Sequence, residues 1–491
     1  MISAGLLAVL LWPALYNGQP IFFPDTTAYV RGADAGVQAA FHRRSAWSLS
    51  DEESIVKPSP SAPASASASP PANAPPSLSS IKDKTVLSGR SPYYGALLYL
   101  GDLTGGFWLS VAVQALAMLA ALALAIRTLR LSAGPALLAG VGCMAVLTPL
   151  PLFVSFLMPD VFAGIGILTA ASLLAAYGAL AWTGYLTAFV LLSASVIVHD
   201  THAVIVGILL ALAIAWSLIA RRWPNWRGMI VIGLALAVAV LGQAAFSIVV
   251  RHVVGAPPLR PPFLMARMIE DGPGYRYLQA TCPSNGLAVC RFLDRLPRPA
   301  YVILWERGPD GVFGNAQPEM RRQLSAEEMR FVLAVLAYDP WGELLATLRS
   351  IGSLLTTLRL DEFRYYPEYK ESFAVKVPPE HFQRMQGTAA YRGTMPIGVL
   401  AAVSLATLLL GAAAIAGALA WRRTRAALDP AVLRVTAWMA AGLLANAAIC
   451  GAVSGAYPRL GVRIAWLVPF AALLIAVALV APPKPSAATP C

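Results

Sequence analysis

Apolar runs without charge, each long enough to cross a hydrocarbon core of about 30 Å, recur along the chain. In lipid such runs must be helices, because an unpaired backbone group finds no water there. The pattern predicts about ten spans, at roughly 2–23, 105–126, 133–153, 161–182, 184–198, 203–220, 228–250, 395–420, 432–453 and 464–481. The fourth and fifth of these meet at Ala181-Trp182-Thr183-Gly184, where their division is least constrained. The opening MISAGLLAVLLWPALY has no clear basic leader or small-x-small cleavage site, so it reads as a retained first span. The expected fold is an all-α polytopic membrane protein of about ten transmembrane helices with a small extracytoplasmic segment.

The short loops orient this arrangement. Arg127 and Arg130 follow the second span; Arg221, Arg222 and Arg227 follow the sixth; Arg422, Arg423, Arg425 and Arg434 lie about the loop between the eighth and ninth. All three clusters fall on one side, which the positive-inside rule makes cytoplasmic. Both termini are then expected inside a bacterial inner membrane. The division is an N-terminal transmembrane module (1–250), a periplasmic segment (251–394), C-terminal transmembrane helices (395–481) and a cytoplasmic tail (482–491). The outer loop 24–104 carries an Ala/Ser/Pro-rich stretch, 57–80, which reads as a disordered insert.

Composition fits this class and narrows the partners. Hydrophobic residues make up 57% and charged residues 13%, well below the quarter usual in soluble domains. The net charge of +12 would suggest nucleic acid in a soluble protein. Here much of the Arg serves topology and no basic-aromatic module appears, so nucleic acid is not an expected partner.

Within 251–394, Cys282 and Cys290 bracket the stretch CPSNGLAVC. An oxidising compartment favours a disulfide there, contributing about 2–3 kcal/mol. Residues 325–348 look helical, with Ser325 and Glu328 spaced as a capping box.

Candidate chemistry gathers on the outer side. Asp25, in Pro24-Asp25-Thr26-Thr27-Ala28-Tyr29, lies just past the first span, as a helix N-cap or as a base tuned by its surroundings. Arg90 in Ser88-Gly89-Arg90-Ser91-Pro92-Tyr93-Tyr94 could hold a phosphate by paired donors, Tyr93 and Tyr94 suit the membrane interface or could flank a sugar or lipid, and Tyr29 is a further candidate for substrate binding. Asp160 tops the fourth span, again as cap or site residue. His199 and His202, with Asp200 between them, could ligate a divalent metal ion, relay protons or bind phosphate. Arg459 and Arg463, beside Tyr457, stand in an outer turn where Arg is disfavoured. Binding an anionic lipid phosphate, pairing with an outer carboxylate, or a different span count would account for them.

With these elements the layout resembles the C-type glycosyltransferases (the GT-C superfamily), multi-span enzymes that use polyprenyl-phosphate-linked sugars. Asp25 is similar to the acidic residue these enzymes carry after the first span. Arg90-Ser91-Pro92-Tyr93 is similar to an element ahead of their second span. Asp160 matches an acidic residue at the outer start of a middle span, and Tyr457-Pro458-Arg459 a late outer turn. The chain departs from the pattern in having Thr26 and Thr27 where many members carry a second acidic residue. It also lacks their large C-terminal soluble domain. The resemblance implies inverting sugar transfer on the periplasmic face from a polyprenyl-phosphate donor. Asp25 would be the base, Arg90, Arg459 and Arg463 would hold the phosphate, and His199 and His202 would contact phosphate, metal or acceptor. A glycolipid transporter or flippase, or a non-catalytic assembly protein, are the competing readings. Convergence of the polar residues in one outer pocket separates the enzyme from both.

Overall fold

The computed structural model describes residues 2–49, 79, 83–131, 134–176, 180–221 and 225–480. Among these there is no strand, only isolated bridges at Ile21–Phe156 and Leu87–Leu259. The insert 57–80, apart from Ser79, and the tail 482–491 lie outside the described residues.

The chain opens with α1 (Ile2–Leu10) and α2 (Trp12–Asn17). The expected single span 2–23 is therefore broken, because Pro13 stands in the first turn of α2 and cannot continue the bonding of α1. Two helices of the first loop follow, α3 (Pro24–Phe41) and α4 (Pro92–Gly105). The next group is α5 (Trp108–Thr128), α6 (Pro135–Leu147), α7 (Leu150–Val154), α8 (Val161–Ala175), α9 (Trp182–Ile197), α10 (Asp200–Ala220) and α11 (Trp226–Val254). The expected span 133–153 is split into α6 and α7 at Thr148-Pro149. Among the described residues six helices are long and apolar enough to cross a membrane, or seven if the bent pair Pro318–Tyr338 and Pro340–Thr356 is one span. They include α5, α10 and α11, and the chain is a multi-pass membrane protein by that measure.

The segment after α11 contains α12 (Phe263–Glu270), α13 (Pro273–Thr281), α14 (Ala300–Trp305), α15 (Pro318–Tyr338), α16 (Pro340–Thr356), α17 (Pro367–Lys376), α18 (Pro379–Gln386) and α19 (Ala389–Arg392). Cys282 and Cys290 are joined in a disulfide. The expected capping box at Ser325 is not a helix start. Pro318 begins α15 seven residues earlier, and Ser325 instead donates to the Arg260 carbonyl at 2.5 Å. A bend of 107° separates α15 from α16 at Asp339-Pro340, where the Asp339 side chain caps α16 through Gly342 N–H. α16 packs along α22 and presents an apolar stripe of Trp341, Leu344, Leu345 and Leu348 on its other face. This part of 251–394 therefore lies against the helical bundle. The chain closes with α20 (Ile397–Ala420), α21 (Arg422–Ala427), α22 (Pro430–Val453), α23 (Pro458–Ala465) and α24 (Leu467–Val480), the last two forming one span-length run.

The middle of the bundle is α8, in which every residue is buried. That explains its all-round apolar sequence. Small residues let neighbours close on it: a Cβ at Gly164 would meet the Trp466 ring at 2.8 Å. Its two ends differ in chemistry. At the C-terminal end Arg434 donates to the Ala175 carbonyl at 3.1 Å, completing an open helix end. At the N-terminal end stands Asp160, facing Arg459 and Arg463.

Candidate functional site

Three stretches far apart in sequence meet at the Asp160 end of α8. Residues 21 and 155–157 exchange backbone hydrogen bonds: Ile21 N–H to Ser155 at 2.9 Å, and Leu157 N–H to Ile21 at 2.9 Å. Thr26 adds a hydroxyl bond to the Leu157 carbonyl at 3.0 Å. This zipper brings the start of α3 beside the Pro159-Asp160 turn. Phe23 is the N-cap residue of α3 and Pro24 its first residue, so Asp25 stands in the first turn and is not the cap. Its side chain is 37% exposed.

Arg90 reaches Asp25 from the turn before α4, with a 2.6 Å contact, and its guanidinium lies over the Trp305 ring. The register follows from Gly95. There α4 touches the backbone of α3, and a Cβ would stand 2.5 Å from the Tyr29 carbonyl. Ser91 anchors the same turn through the Ile197 carbonyl at 2.8 Å.

Arg459 enters from α23. Its Nε is 3.6 Å from Asp160, its guanidinium lies over Phe23 at 4.5 Å, and its Nη1 is buried without a hydrogen-bond partner. Arg463, one turn on, is 1% exposed and held by Asp160, Asn446 and Cys450. Pairing with a carboxylate thus describes both arginines, but Arg459 keeps donor capacity at Nη1.

Charge here is shared unevenly. Burial pushes the Asp25 carboxyl up, but Arg90 and Arg459 together outweigh it and hold it below the usual carboxylate range. Glu362, in the short turn before α17, is pushed up by burial against the pull of Arg459. Burial and then Arg463 push His199 down to about 4, so its ring is neutral at pH 7 and brings no charge to a phosphate.

The remaining sequence candidates are placed differently. Tyr29 is 4% exposed and packs edge-on against Tyr94. Tyr94 is enclosed, its hydroxyl donating to Gln114 at 2.7 Å, so it contributes packing at this end of α4. His202 is enclosed too, with Nδ1 at the Ser195 carbonyl. Its ring stacks on His199, and Asp200 takes a hydrogen bond from Gln243. Stacked rings do not direct two lone pairs at one ion, so the expected metal set is not assembled. Among the described residues no group of three or more His, Cys, Asp or Glu could hold a metal. Tyr457 is 38% exposed at the rim.

Sequence reasoning missed Trp305, Glu362, Tyr369 and Lys376. Tyr369 packs against Phe23 at 5.6 Å, and Lys376 acts on Asp25 through its charge. All four come from the segment 251–394 and are brought in by tertiary folding alone. Comparison with family models, curated proteins and solved structures finds no match to this chain.

Proposed function

We propose that the chain is a C-type membrane glycosyltransferase with about ten spans in a bacterial inner membrane. It would move a sugar from a polyprenyl-phosphate donor to an acceptor on the periplasmic face. The observation that carries this reading is the Asp25 carboxylate paired with Arg90 and within the field of an Arg459 that has an unpartnered buried nitrogen. A buried donor without a partner favours an anionic ligand that supplies one. The absence of any ionisable side chain within α8 weighs against a transport path along it.

In this mechanism the acceptor hydroxyl gives its proton to Asp25 as its oxygen bonds to the anomeric carbon. The bond from that carbon to the phosphate oxygen breaks, and the phosphate departs with the electron pair. Arg459 and Arg90 would steady the charge that develops on the leaving group. Arg90 has a second effect. While it pairs with Asp25 it makes the carboxylate a weaker base. A donor phosphate that draws Arg90 away leaves burial to dominate and raises the basicity of Asp25. Donor binding would thereby prepare the base.

The test is sugar transfer from a polyprenyl-phosphate donor by purified protein. Asp25→Asn keeps size and shape, and should lower the rate about 10²–10⁴-fold with the fold unchanged. A wild-type rate in this variant would remove Asp25 from the mechanism. Arg459→Ala should weaken donor binding, with part of it regained by Lys as a simpler point charge.

A further inference from the structure

A polar cavity lies at the other end of α3 and α4, away from the Asp25 cluster. The two helices run side by side in the same direction: Asp25 meets Arg90 at their starts, and Trp47, just past α3, meets Asp102 near the end of α4. From Asp25 to Phe41 is roughly 24 Å at 1.5 Å per residue, so this cavity is separate from the Asp25 cluster. It has a volume of about 530 Å³ and is lined by Arg43, Arg44, Arg384, His381, Asp102 and Leu103, among others.

The cavity is built rather than incidental. Asp34 accepts hydrogen bonds from Ser45 at 2.6 Å and Ser48 at 2.5 Å, which fixes the loop carrying Arg43 and Arg44. Asp102 takes the Trp47 indole N–H at 2.8 Å through one oxygen and lies 3.3 Å from His381 through the other. The Trp47 and His381 rings stack at 5.6 Å, so the imidazole is held at the wall. Among the lining residues three guanidinium groups stand against one carboxylate, with Asp34 behind Ser45 and Glu380 beside Arg384. Among the described residues Arg43 and Arg44 have no ion-pair partner, and Arg384 reaches Glu380 only at 4.0 Å.

The rim is apolar. Phe41, Leu100 and Leu103 are 70%, 55% and 61% exposed, and the span-length helix α5 begins at Trp108, just beyond Gly106 of the lining. Guanidinium groups beside exposed apolar side chains at the mouth of a span match a phosphate ester joined to hydrocarbon.

We propose that this cavity binds the phosphate headgroup of an anionic membrane phospholipid, with the acyl chains over Phe41, Leu100 and Leu103. This site stands independently of the chemistry at Asp25. The experiment is equilibrium binding of short-chain phosphatidylglycerol to the full chain in neutral detergent, with short-chain phosphatidylcholine and inorganic phosphate in parallel. Saturable one-to-one binding of phosphatidylglycerol is expected, tighter than either control. Arg43→Gln/Arg44→Gln should weaken it about tenfold or more, Arg384→Gln should weaken it independently, and Arg459→Ala should leave it unchanged. Equal binding of inorganic phosphate would make this a free-anion site, and equal binding of phosphatidylcholine would remove the charge reading. Loss of binding in Arg459→Ala but not in the cavity variants would assign the lipid to the Asp25 cluster. Each of these outcomes, like no binding at all, overturns the proposal.

Discussion

The Arg90 guanidinium stands 2.6 Å from the Asp25 carboxylate, 65 positions away in the chain. Neither residue is buried enough for the pair to be explained by packing, at 24% and 37% side-chain exposure. The pair exists because α3 and α4 start side by side, and because a ring of charge from Arg459 and Lys376 surrounds it.

The pH dependence of transfer follows from this pair. Asp25 must be ionised to accept a proton, so activity rises with pH through its pKa. The wild-type acid limb of kcat/KM, which reports the free enzyme, should fall below the usual carboxylate range, because Arg90 and Arg459 outweigh burial there. In Arg90→Gln burial is left with less opposition, so the acid limb should move to higher pH while donor KM rises. The same shift bears on stability: a lowered folded pKa stabilises above the unfolded value and is lost as pH falls through the folded one. An acid limb that stays in place in Arg90→Gln would show that Asp25 is not the group being titrated.

Gly95 sets the register that makes the pair possible. A Cβ there would approach the Tyr29 carbonyl to 2.5 Å, and that atom is backbone, which cannot swing aside. Gly95→Ala should therefore push α4 off α3, at a cost of about 1–3 kcal/mol. Thermal unfolding in detergent should register the loss. The acid limb of activity should move in the same direction as in Arg90→Gln, since Arg90 travels with α4.

Some of this was legible in the sequence. Helices α5, α10, α11, α20 and α22 lie where their uninterrupted apolar runs predict them, within a few residues. The division near Trp182 was less legible: the expected fourth span runs to 182, whereas α8 ends at Ala175 and α9 begins at Trp182. Short signals fared worse. The Ser325-to-Glu328 spacing looks like a cap, but Pro318 governs where α15 begins. Asp25 looked like a possible cap, but Phe23 occupies that position. Asp25, Arg90, Asp160 and Arg459 stood out because charge beside an apolar run is costly and needs a reason. Glu362 and Trp305 did not. They lie in a segment of ordinary polarity, and only the packing of 251–394 against the bundle brings them to Arg459 and Arg90.

The clamp between α12 and α16 gives a stability prediction. Arg267 is buried and paired with both Asp271, at 3.0 Å, and Glu343. Arg267→Ala leaves the Glu343 carboxylate uncompensated in the interior, which typically costs about 3–5 kcal/mol. Removing both charges as Arg267→Met/Glu343→Leu should recover much of that loss. A single variant as stable as wild type by thermal unfolding would mean that water already reaches Glu343.

The orientation of the chain can be tested through the two ends of α8. Arg434 holds the Ala175 carbonyl, while Arg459 and Arg463 face Asp160. The two sets of cations are thus separated by roughly 22 Å, the rise of fifteen helical residues at 1.5 Å each. That distance is most of the depth of a hydrocarbon core. The loop with Arg422, Arg423 and Arg425 leads directly into Arg434, and by the positive-inside rule its charge predicts a cytoplasmic Ala175 end. Asp160 and the segment that supplies Glu362 then belong to the outer side. Engineered cysteines report this if the background is silent, which requires Cys143→Ala and Cys491→Ser, since Cys143 is exposed and Cys450 is buried. The disulfide between Cys282 and Cys290 leaves that pair unreactive. In intact cells an impermeant maleimide should label Asp310→Cys, at an exposed surface pair that is cheap to lose, and should spare Ala427→Cys until the cells are opened. The reverse pattern would invert the protein and move the Asp25 cluster to the cytoplasmic face. Labelling of both in intact cells would be incompatible with a bundle in which α8 separates the two ends.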